Sequence, residues 1–342
     1  MDKAIKVGIV GFGKMGMLHG ALLNKIDGFE VSAITDTSKI IIKAFHSLLP
    51  NVKYFTSYQE MLSEVALDAI IITTPSFSHV PIAISAAGKN IHFFMEKPMS
   101  NSLDNALLLE MALEEKRIVS MVGFHMRYMP TFMKGKELLE EEVIGKVRHV
   151  EGELYVSDIF SPQKGWRYNP AMSGGGVVID FAIHLLDLMH WYLGEVVSIK
   201  GQVKKLYSKL VEDEAKANLV FKGGISATII SSWSVTGYRL PHLVLRLKGE
   251  KGTMLVSDHN VIVLDNSGIA VQSYNLPDLY TGYYFDVAGS HYSLQMQAFA
   301  QAIKTGKGTS NINEALYAQK LVDALYRSAH QQSDIILAER IS

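Results

Sequence analysis

The chain has no cysteine, which excludes disulfides, thiolate catalysis and any metal centre built on sulfur ligands. It also lacks an excess of charge of either sign. The 33 Lys and Arg residues nearly balance 34 Asp and Glu, for a formal net charge of -1 over 342 residues. There is therefore no basic footprint for nucleic acid and no pull toward an anionic membrane, and a small, roughly neutral partner fits better. Long uncharged apolar runs are missing as well. The most apolar segment, Val177 to Leu193, is interrupted by Asp180, His184, Asp187 and His190, so nothing approaches bilayer length. The opening MDKAIKVGIVGFG has too brief an apolar core for a signal peptide and no small-residue cleavage site, and it is needed as a first strand. The expected location is cytoplasmic, with no membrane and no nucleic-acid partner.

At this length a second core is expected. From Ile5 to about Val122, short apolar runs (Ile5 to Val10, Val31 to Ile34, Ala69 to Thr73, Ile91 to Met95, Ile118 to Val122) alternate with helical patterns. That is the signature of βαβ units and a parallel sheet. Beyond Arg127, a helix near Pro130 to Glu142 leads into long alternating runs from Lys146 to Leu264, separated by turns such as Lys222-Gly223-Gly224. Alternation with tight connections predicts an antiparallel sheet with unlike faces. A helix over Val177 to Leu193 and two closing helices, near Tyr292 to Lys304 and Ile312 to His330, complete the pattern. The fold class is α/β: a doubly wound parallel domain over 1–122, then an α+β domain over 123–342 with a large, mostly antiparallel open sheet. No repeat or low-complexity tether marks the boundary.

Gly11, Phe12, Gly13, Lys14, Met15 and Gly16 form GxGxxG between a β-branched strand and a helical pattern, and Asp36 lies twenty residues beyond Gly16. In this setting the glycines permit a tight turn, close approach of backbone to a pyrophosphate, and close helix packing, with the pyrophosphate on the helix N-terminus. The Asp36 carboxylate can accept from ribose hydroxyls and repels a 2′-phosphate, which favours NAD. NADP stays open, because Thr37, Ser38 and Lys39 can hold a phosphate if Asp36 turns away.

Three further segments can carry chemistry. Thr73-Thr74-Pro75-Ser76-Phe77-Ser78-His79 and Glu96-Lys97-Pro98 follow parallel strands, where open α/β sheets place ligands. Lys97 is either a solvated loop lysine or a cation that hydrogen-bonds a substrate oxygen. In the third segment, Gly174-Gly175-Gly176 leads to Asp180 and His184, about 40° apart around an ideal helix. An imidazole beside a carboxylate suits proton removal from an alcohol near neutral pH; the alternative is a histidine satisfied inside the core. A zinc reading of His184, Asp187 and His190 fails on phase, since His190 points about 120° from His184, and no metal is expected. Arg127, Tyr155, Trp166 and Arg167 can line a polyol pocket or serve packing and ion pairing.

Taken together, GFGKMG, Thr74 to His79, Glu96-Lys97-Pro98 and SGGGVVIDFAIHLLDL at Ser173 to Leu188 resemble the Gfo/Idh/MocA oxidoreductase family across the whole chain, in order. The resemblance implies a Rossmann domain, then an α/β domain whose open sheet commonly forms a homodimer or homotetramer interface. It implies a catalytic set of Lys97, Asp180 and His184. His184 would accept the proton, Lys97 would bind and polarise the reacting oxygen, and Asp180 would orient the pair. It also places Thr73, Thr74, Pro75, His79, Glu96, Lys97 and Arg127 near cofactor, and Lys97 and Arg127 near substrate. Ser76 departs from the asparagine many members carry. The activity implied is NAD(P)-dependent hydride transfer from a hydroxyl-bearing carbon of a sugar or cyclitol; the alternatives are a hydrolase or epimerase with transient redox cycling and a non-catalytic NAD(H)-binding regulator.

Overall fold

The computed structural model describes residues 4–280, 289–306 and 312–337. By backbone proximity they fall into two units, one of residues 4–125 with 289–306 and 312–316, the other of 126–280 with 317–337. The first unit thus takes back a late segment that a single boundary near residue 123 assigns to the second domain. The reason is apolar. Helix Ser290–Thr305 buries Phe299 completely, stacked on Phe29 at 6.4 Å and edge-on to Phe94 at 5.9 Å.

The first unit holds a six-stranded parallel sheet of β1 (Ile5–Val10), β2 (Phe29–Thr35), β3 (Lys53–Phe55), β4 (Ala69–Ile72), β5 (His92–Met95) and β6 (Ser120–Val122). Its order is β3-β2-β1-β4-β5-β6, the doubly wound arrangement whose direction reverses beside β1. Helices α1 (Lys14–Leu23), α2 (Lys39–His46), α3 (Tyr58–Glu64), α4 (His79–Gly88) and α5 (Leu103–Leu113) make the crossovers. Strand β4 (AIII) is buried along its whole length, as expected of a parallel strand covered on both faces. The expected parallel domain is present; β3 and α3 are additions that the apolar periodicity did not reveal.

The second unit begins with α6 (Pro130–Glu140) and β7 (Val147–Tyr155), followed by α7 (Pro170–Ser173), a π-helical stretch at Val178–Ala182 and α8 (Ile183–Leu193). Then come β8 (Val196–Lys204), β9 (Glu214–Phe221), β10 (Ser226–Ser232), β11 (His242–Gly249), β12 (Gly252–Ser257), β13 (Asn260–Asp265) and β14 (Ala270–Asn275). The helix packed against Phe29 is α9; α10 (Ile312–Gln331) and β15 (Ile335–Ile336) close the chain. The nine strands run β14-β13-β12-β11-β7-β10-β9-β8-β15. Pairings are antiparallel except β7 with β10, so the mostly antiparallel open sheet is as expected. On β7 the even positions Val150, Gly152 and Leu154 are buried. A side chain at Gly152 would meet Met189 and Leu185 of α8 at 2.6 and 3.1 Å, which identifies the face α8 covers. The odd positions, Tyr155 included, belong to the opposite face. The segment Pro170–Leu193 is long and apolar enough to cross a membrane, yet 78% of its most apolar window is buried within the protein.

Candidate active site

In the first unit the glycine turn connects β1 to α1, with Gly13 as N-cap. Gly11 has φ +88°, and a side chain at Gly16 would lie 2.1 Å from the Gly11 carbonyl, whereas nothing lies within 4 Å of a side chain built at Gly13. The first two glycine-requiring contacts are thus internal, and the open space at Gly13 faces the end of a helix whose first N–H groups have no intrahelical acceptor. Lys14 and Met15 open that helix. Phe12 points the other way, buried edge-on against Phe45 at 4.8 Å, and contributes its backbone: Phe12 N–H donates to Asp36 Oδ2 at 2.7 Å. Ser38 N–H donates to Asp36 Oδ1 at 2.8 Å. The carboxylate is therefore fixed beside the turn with lone pairs to spare. Ser38 Oγ meanwhile caps α2 by accepting from Ile41 N–H at 3.4 Å, and Thr37 is exposed. A cradle of this kind fits a dinucleotide with free ribose hydroxyls.

The loops after β4 and β5 flank the turn. Thr73 Oγ1 donates to the Gly11 carbonyl at 2.5 Å, and Thr74 Oγ1 accepts from Ser78 Oγ at 2.8 Å; Pro75 leads into the short turn Ser76–Ser78. His79 is buried with Nδ1 2.8 Å from the Pro98 carbonyl and Nε2 2.8 Å from the Thr74 carbonyl. Burial lowers its pKa, against the pull of those carbonyls and Glu96. With both nitrogens turned to protein oxygens, His79 ties the two loops together rather than reaching outward. Glu96 Oε1 accepts from Nε2 of the fully buried His19 imidazole at 2.7 Å, and its Oε2 accepts from Lys97 N–H at 3.2 Å. Lys97 follows β5 and precedes the cis peptide to Pro98. The first unit thus gathers the glycine turn, Asp36, Thr73, Thr74 and Lys97 along the C-terminal edge of one sheet.

In the second unit, Asp180 belongs to the π-helical stretch and His184, nearly buried, to the first turn of α8. Arg167 donates to Asp180 Oδ2 through Nε at 2.8 Å and Nη2 at 2.7 Å, and to Asp158 Oδ2 through Nη1 at 3.0 Å. Its guanidinium lies 4.4 Å from the centre of the Trp233 ring. Burial opposes the charge on Arg167, but Asp180, Tyr168 and Asp158 outweigh it and raise its pKa. Trp166 beside it is exposed. Arg127 makes a buried two-point pair with Asp187, Nε to Oδ2 at 2.9 Å and Nη2 to Oδ1 at 2.6 Å. Of the two uses open to Arg127, ion pairing is the one seen. His190 Nδ1 faces the Gly194 carbonyl at 2.9 Å and its ring lies over Tyr317, so neither Asp187 nor His190 points to a metal with His184. Tyr155 lies on the sheet face opposite α8, next to Tyr238 at 5.4 Å, its pKa pushed up to about 12 by burial and by Glu153, Tyr238 and Glu214.

Glu212 was not legible in the sequence, because its partners are far away along the chain. It is buried, accepts from Gly176 N–H at 2.9 Å, Val178 N–H at 3.0 Å and Tyr326 Oη at 2.7 Å, and so pins the entry to the π turn. A side chain at Gly176 would lie 1.9 Å from the Glu212 carbonyl, which accounts for part of the triple glycine. Burial pushes Glu212 above the ordinary carboxyl value of 4.5, against the pull of Tyr326 and the N–H donors. A carboxyl raised in the native state contributes stability that is fully present below its unfolded pKa and is lost as pH rises through the folded one. Glu212→Gln keeps an acceptor oxygen without the charge. Denaturation midpoints measured from about pH 4 to about pH 7 should fall less with rising pH in the variant than in the parent; parallel curves would show that Glu212 does not titrate as its burial implies.

A doubly wound parallel sheet with a dinucleotide-shaped turn, followed by a unit built on one mostly antiparallel open sheet, is the architecture of a two-unit nicotinamide-dependent oxidoreductase, and the family match makes it one. The chain belongs to the Gfo/Idh/MocA family. Residues 5–124 match its model for the oxidoreductase family with an NAD-binding Rossmann fold, and residues 132–255 match the GFO/IDH/MocA C-terminal domain. A scyllo-inositol 2-dehydrogenase (NAD(+)) of Bacillus subtilis (strain 168) is 25% identical over 315 residues, covering 90% of this chain and 88% of that protein. A myo-inositol 2-dehydrogenase of Thermotoga maritima is 25% identical over 313 residues, covering 89% of each. Among solved structures, a levoglucosan dehydrogenase in complex with NADH and levoglucosan superposes with a TM-score of 0.88 at 19% identity, over 98% of this chain and 100% of that one, a likeness of fold.

Proposed function

We propose that this chain is an NAD-dependent dehydrogenase that oxidises a secondary hydroxyl of a sugar or cyclitol, with Lys97, Asp180 and His184 as its catalytic residues. The first unit holds the dinucleotide and the second recognises the substrate. The observation that carries the reading is Lys97 just past β5, on the same sheet edge as the Gly11 to Gly16 turn. That edge is where nucleotide-binding sheets of this order present their ligand.

Bound NAD supplies a hydride acceptor. The chain supplies the rest. The Lys97 ammonium donates to the reacting oxygen and stabilises negative charge on it as the hydroxyl proton departs. His184 Nε2 or Nδ1 accepts that proton, and the ionised Asp180, held in place by Arg167, favours the resulting imidazolium. The carbon loses its hydrogen with both electrons, the oxygen loses its proton, and a ketone remains. The inositol and sugar dehydrogenase names of the relatives support a polyol as substrate. The partly exposed face of the nine-stranded sheet opposite α8, which carries Lys216, Asn218 and Val220, supports a homodimer or homotetramer formed through it. The working compartment proposed with this activity is the cytoplasm, and burial of most of the apolar 170–193 stretch within the protein fits a chain that does not use that helix to cross a membrane.

Inositols, hexoses, aminosugars and sugar acids, each tested with NAD and with NADP, check this reading by absorbance of the reduced nicotinamide. At least one polyol should reduce NAD; a protein that binds the dinucleotide yet reduces it with no polyol would overturn it. Replacing Asp36 with alanine removes the groups that pair with ribose hydroxyls and repel a phosphate. The ratio of kcat/KM for NAD over NADP should fall by about tenfold or more in Asp36→Ala, and an unchanged ratio would show that Asp36 does not set the preference.

A further inference from the structure

Away from Lys97, Asp180 and His184, one group of side chains in the second unit has no part in the proposed reaction. His242 opens β11, and Asp258 and His259 form the turn from β12 into β13. One donor atom from each lies within 4.8 Å of the others. We propose that His242, Asp258 and His259 bind a single divalent transition-metal ion of the zinc class.

Four observations carry this. The first is spacing. His242 Nδ1 is 3.3 Å from Asp258 Oδ1 and His259 Nε2 is 3.7 Å from Asp258 Oδ2, so each imidazole faces one oxygen of the same carboxylate. With one donor atom from each residue within 4.8 Å of the others, a modest side-chain adjustment brings the three to the edge of about 3.4 Å of a tetrahedral zinc with bonds near 2.1 Å. The second is an unmet need. Asp258 Oδ1 is shielded from solvent, and among the described residues no donor meets hydrogen-bond geometry at it. A buried carboxylate oxygen is costly without a cation or a donor. The third is preorganisation. Ser257 Oγ accepts from His259 N–H at 3.2 Å and Asn260 N–H at 3.0 Å and donates to Asn260 Oδ1 at 2.9 Å, which fixes the turn. His242 is stacked on Tyr238 at 5.5 Å with the rings 16° apart. The fourth is donor type and access. Two imidazoles with one carboxylate suit zinc, nickel or copper in a chain without thiolates, and His259, with 75% of its side chain exposed, leaves an entry path. Three protein ligands leave a coordination position for water or an added anion.

The sequence expectation of no metal rested on the α8 histidines and did not weigh these three residues, which only the pairing of β11 with β12 brings together. Neither the dinucleotide nor the polyol enters the argument, so the site stands or falls apart from the proposed activity.

Isothermal titration of the full chain with Zn2+ alone tests it, alongside His242→Ala, Asp258→Asn and His259→Ala. The parent should show one saturable equivalent of zinc, and each variant should bind that equivalent about tenfold or more weakly. His259→Ala removes a side chain from the surface, so its loss of zinc cannot be ascribed to misfolding; unchanged circular dichroism and thermal midpoint should accompany it. The proposal is overturned if the parent takes up no saturable zinc, or if the three folded variants give the parent isotherm, in which case His242 and Asp258 are an ordinary ion pair.

Discussion

Lys97→Met is expected to lower kcat by about a thousandfold while leaving NAD affinity within about twofold. Methionine keeps much of the length of lysine without its charge, and a half-buried residue just beyond β5 can accept it without disturbing the sheet. The lost term is the hydrogen bond and charge at the reacting oxygen, which matter most as negative charge develops there; binding of the adenine half, at Asp36 and the glycine turn, does not involve this side chain. His184→Ala should give a loss of about a hundredfold to ten thousandfold in kcat. Steady-state kinetics with fluorescence titration of NADH separates the two readouts. If both variants turn over like the parent, the roles given to Lys97 and His184 are wrong. If NADH affinity collapses in step with kcat, Lys97 is holding the cofactor rather than the substrate.

The largest effect on stability is expected at Arg127. Its guanidinium and the Asp187 carboxylate are 8% and 1% exposed and make two short hydrogen bonds. Arg127→Ala removes the guanidinium paired with the buried Asp187 carboxylate, and breaking a buried ion pair from one side costs about 3–5 kcal/mol. Replacing both partners with apolar residues of similar size removes the charges together. Arg127→Met/Asp187→Leu should therefore recover most of the loss, since an apolar pair is often neutral or better than a buried ion pair. Urea denaturation of the parent, the single and the double variant gives the coupling directly. A single variant as stable as the parent, or a double variant no better than the single, would mean that the pair is not what Asp187 depends on. Titration of the same variant with NADH bears on activity: an Arg127→Ala protein that binds NADH normally while folded has lost a strut, not a cofactor contact.

Much of the architecture can be read from the chain because its signals are local. Ile5 to Gly16 carries strand, turn and helix in one stretch, and the alternation of β7 to β13 is a two-residue period that burial enforces. The elements that escaped are short or polar. β3 has three residues at a sheet edge, and β14 (AVQSYN) is largely exposed, so neither needs an apolar pattern to hold its place. The proposed catalytic residues were visible for the same local reason, each lying in a compact motif. Their partners were not. Arg127 meets Asp187 across sixty positions of sequence, Glu212 reaches Gly176 across thirty-six, and pairing of that kind is set by packing alone. His79 shows the same limit. Its motif position suggests a ligand contact, while the two carbonyls 2.8 Å from its ring nitrogens are set by packing that the motif does not show.

The π-helical stretch at Val178–Ala182 amounts to a lattice fault with one residue too many for an α-helical ladder. Asp180 lies inside it and His184 in the α-helical turn that follows, so the two side chains belong to differently phased segments of one rod. Val178, Ile179 and Ala182 within the fault, and Ile183, Leu185 and Leu186 after it, are all buried, while Asp180 stays a quarter exposed beside Arg167. An unbroken helix has one phase and must choose between its apolar stripe and its polar pair. Shedding the surplus residue would heal the ladder and swing Asp180 by about 100°, trading the proposed acid–imidazole alignment for a better helix.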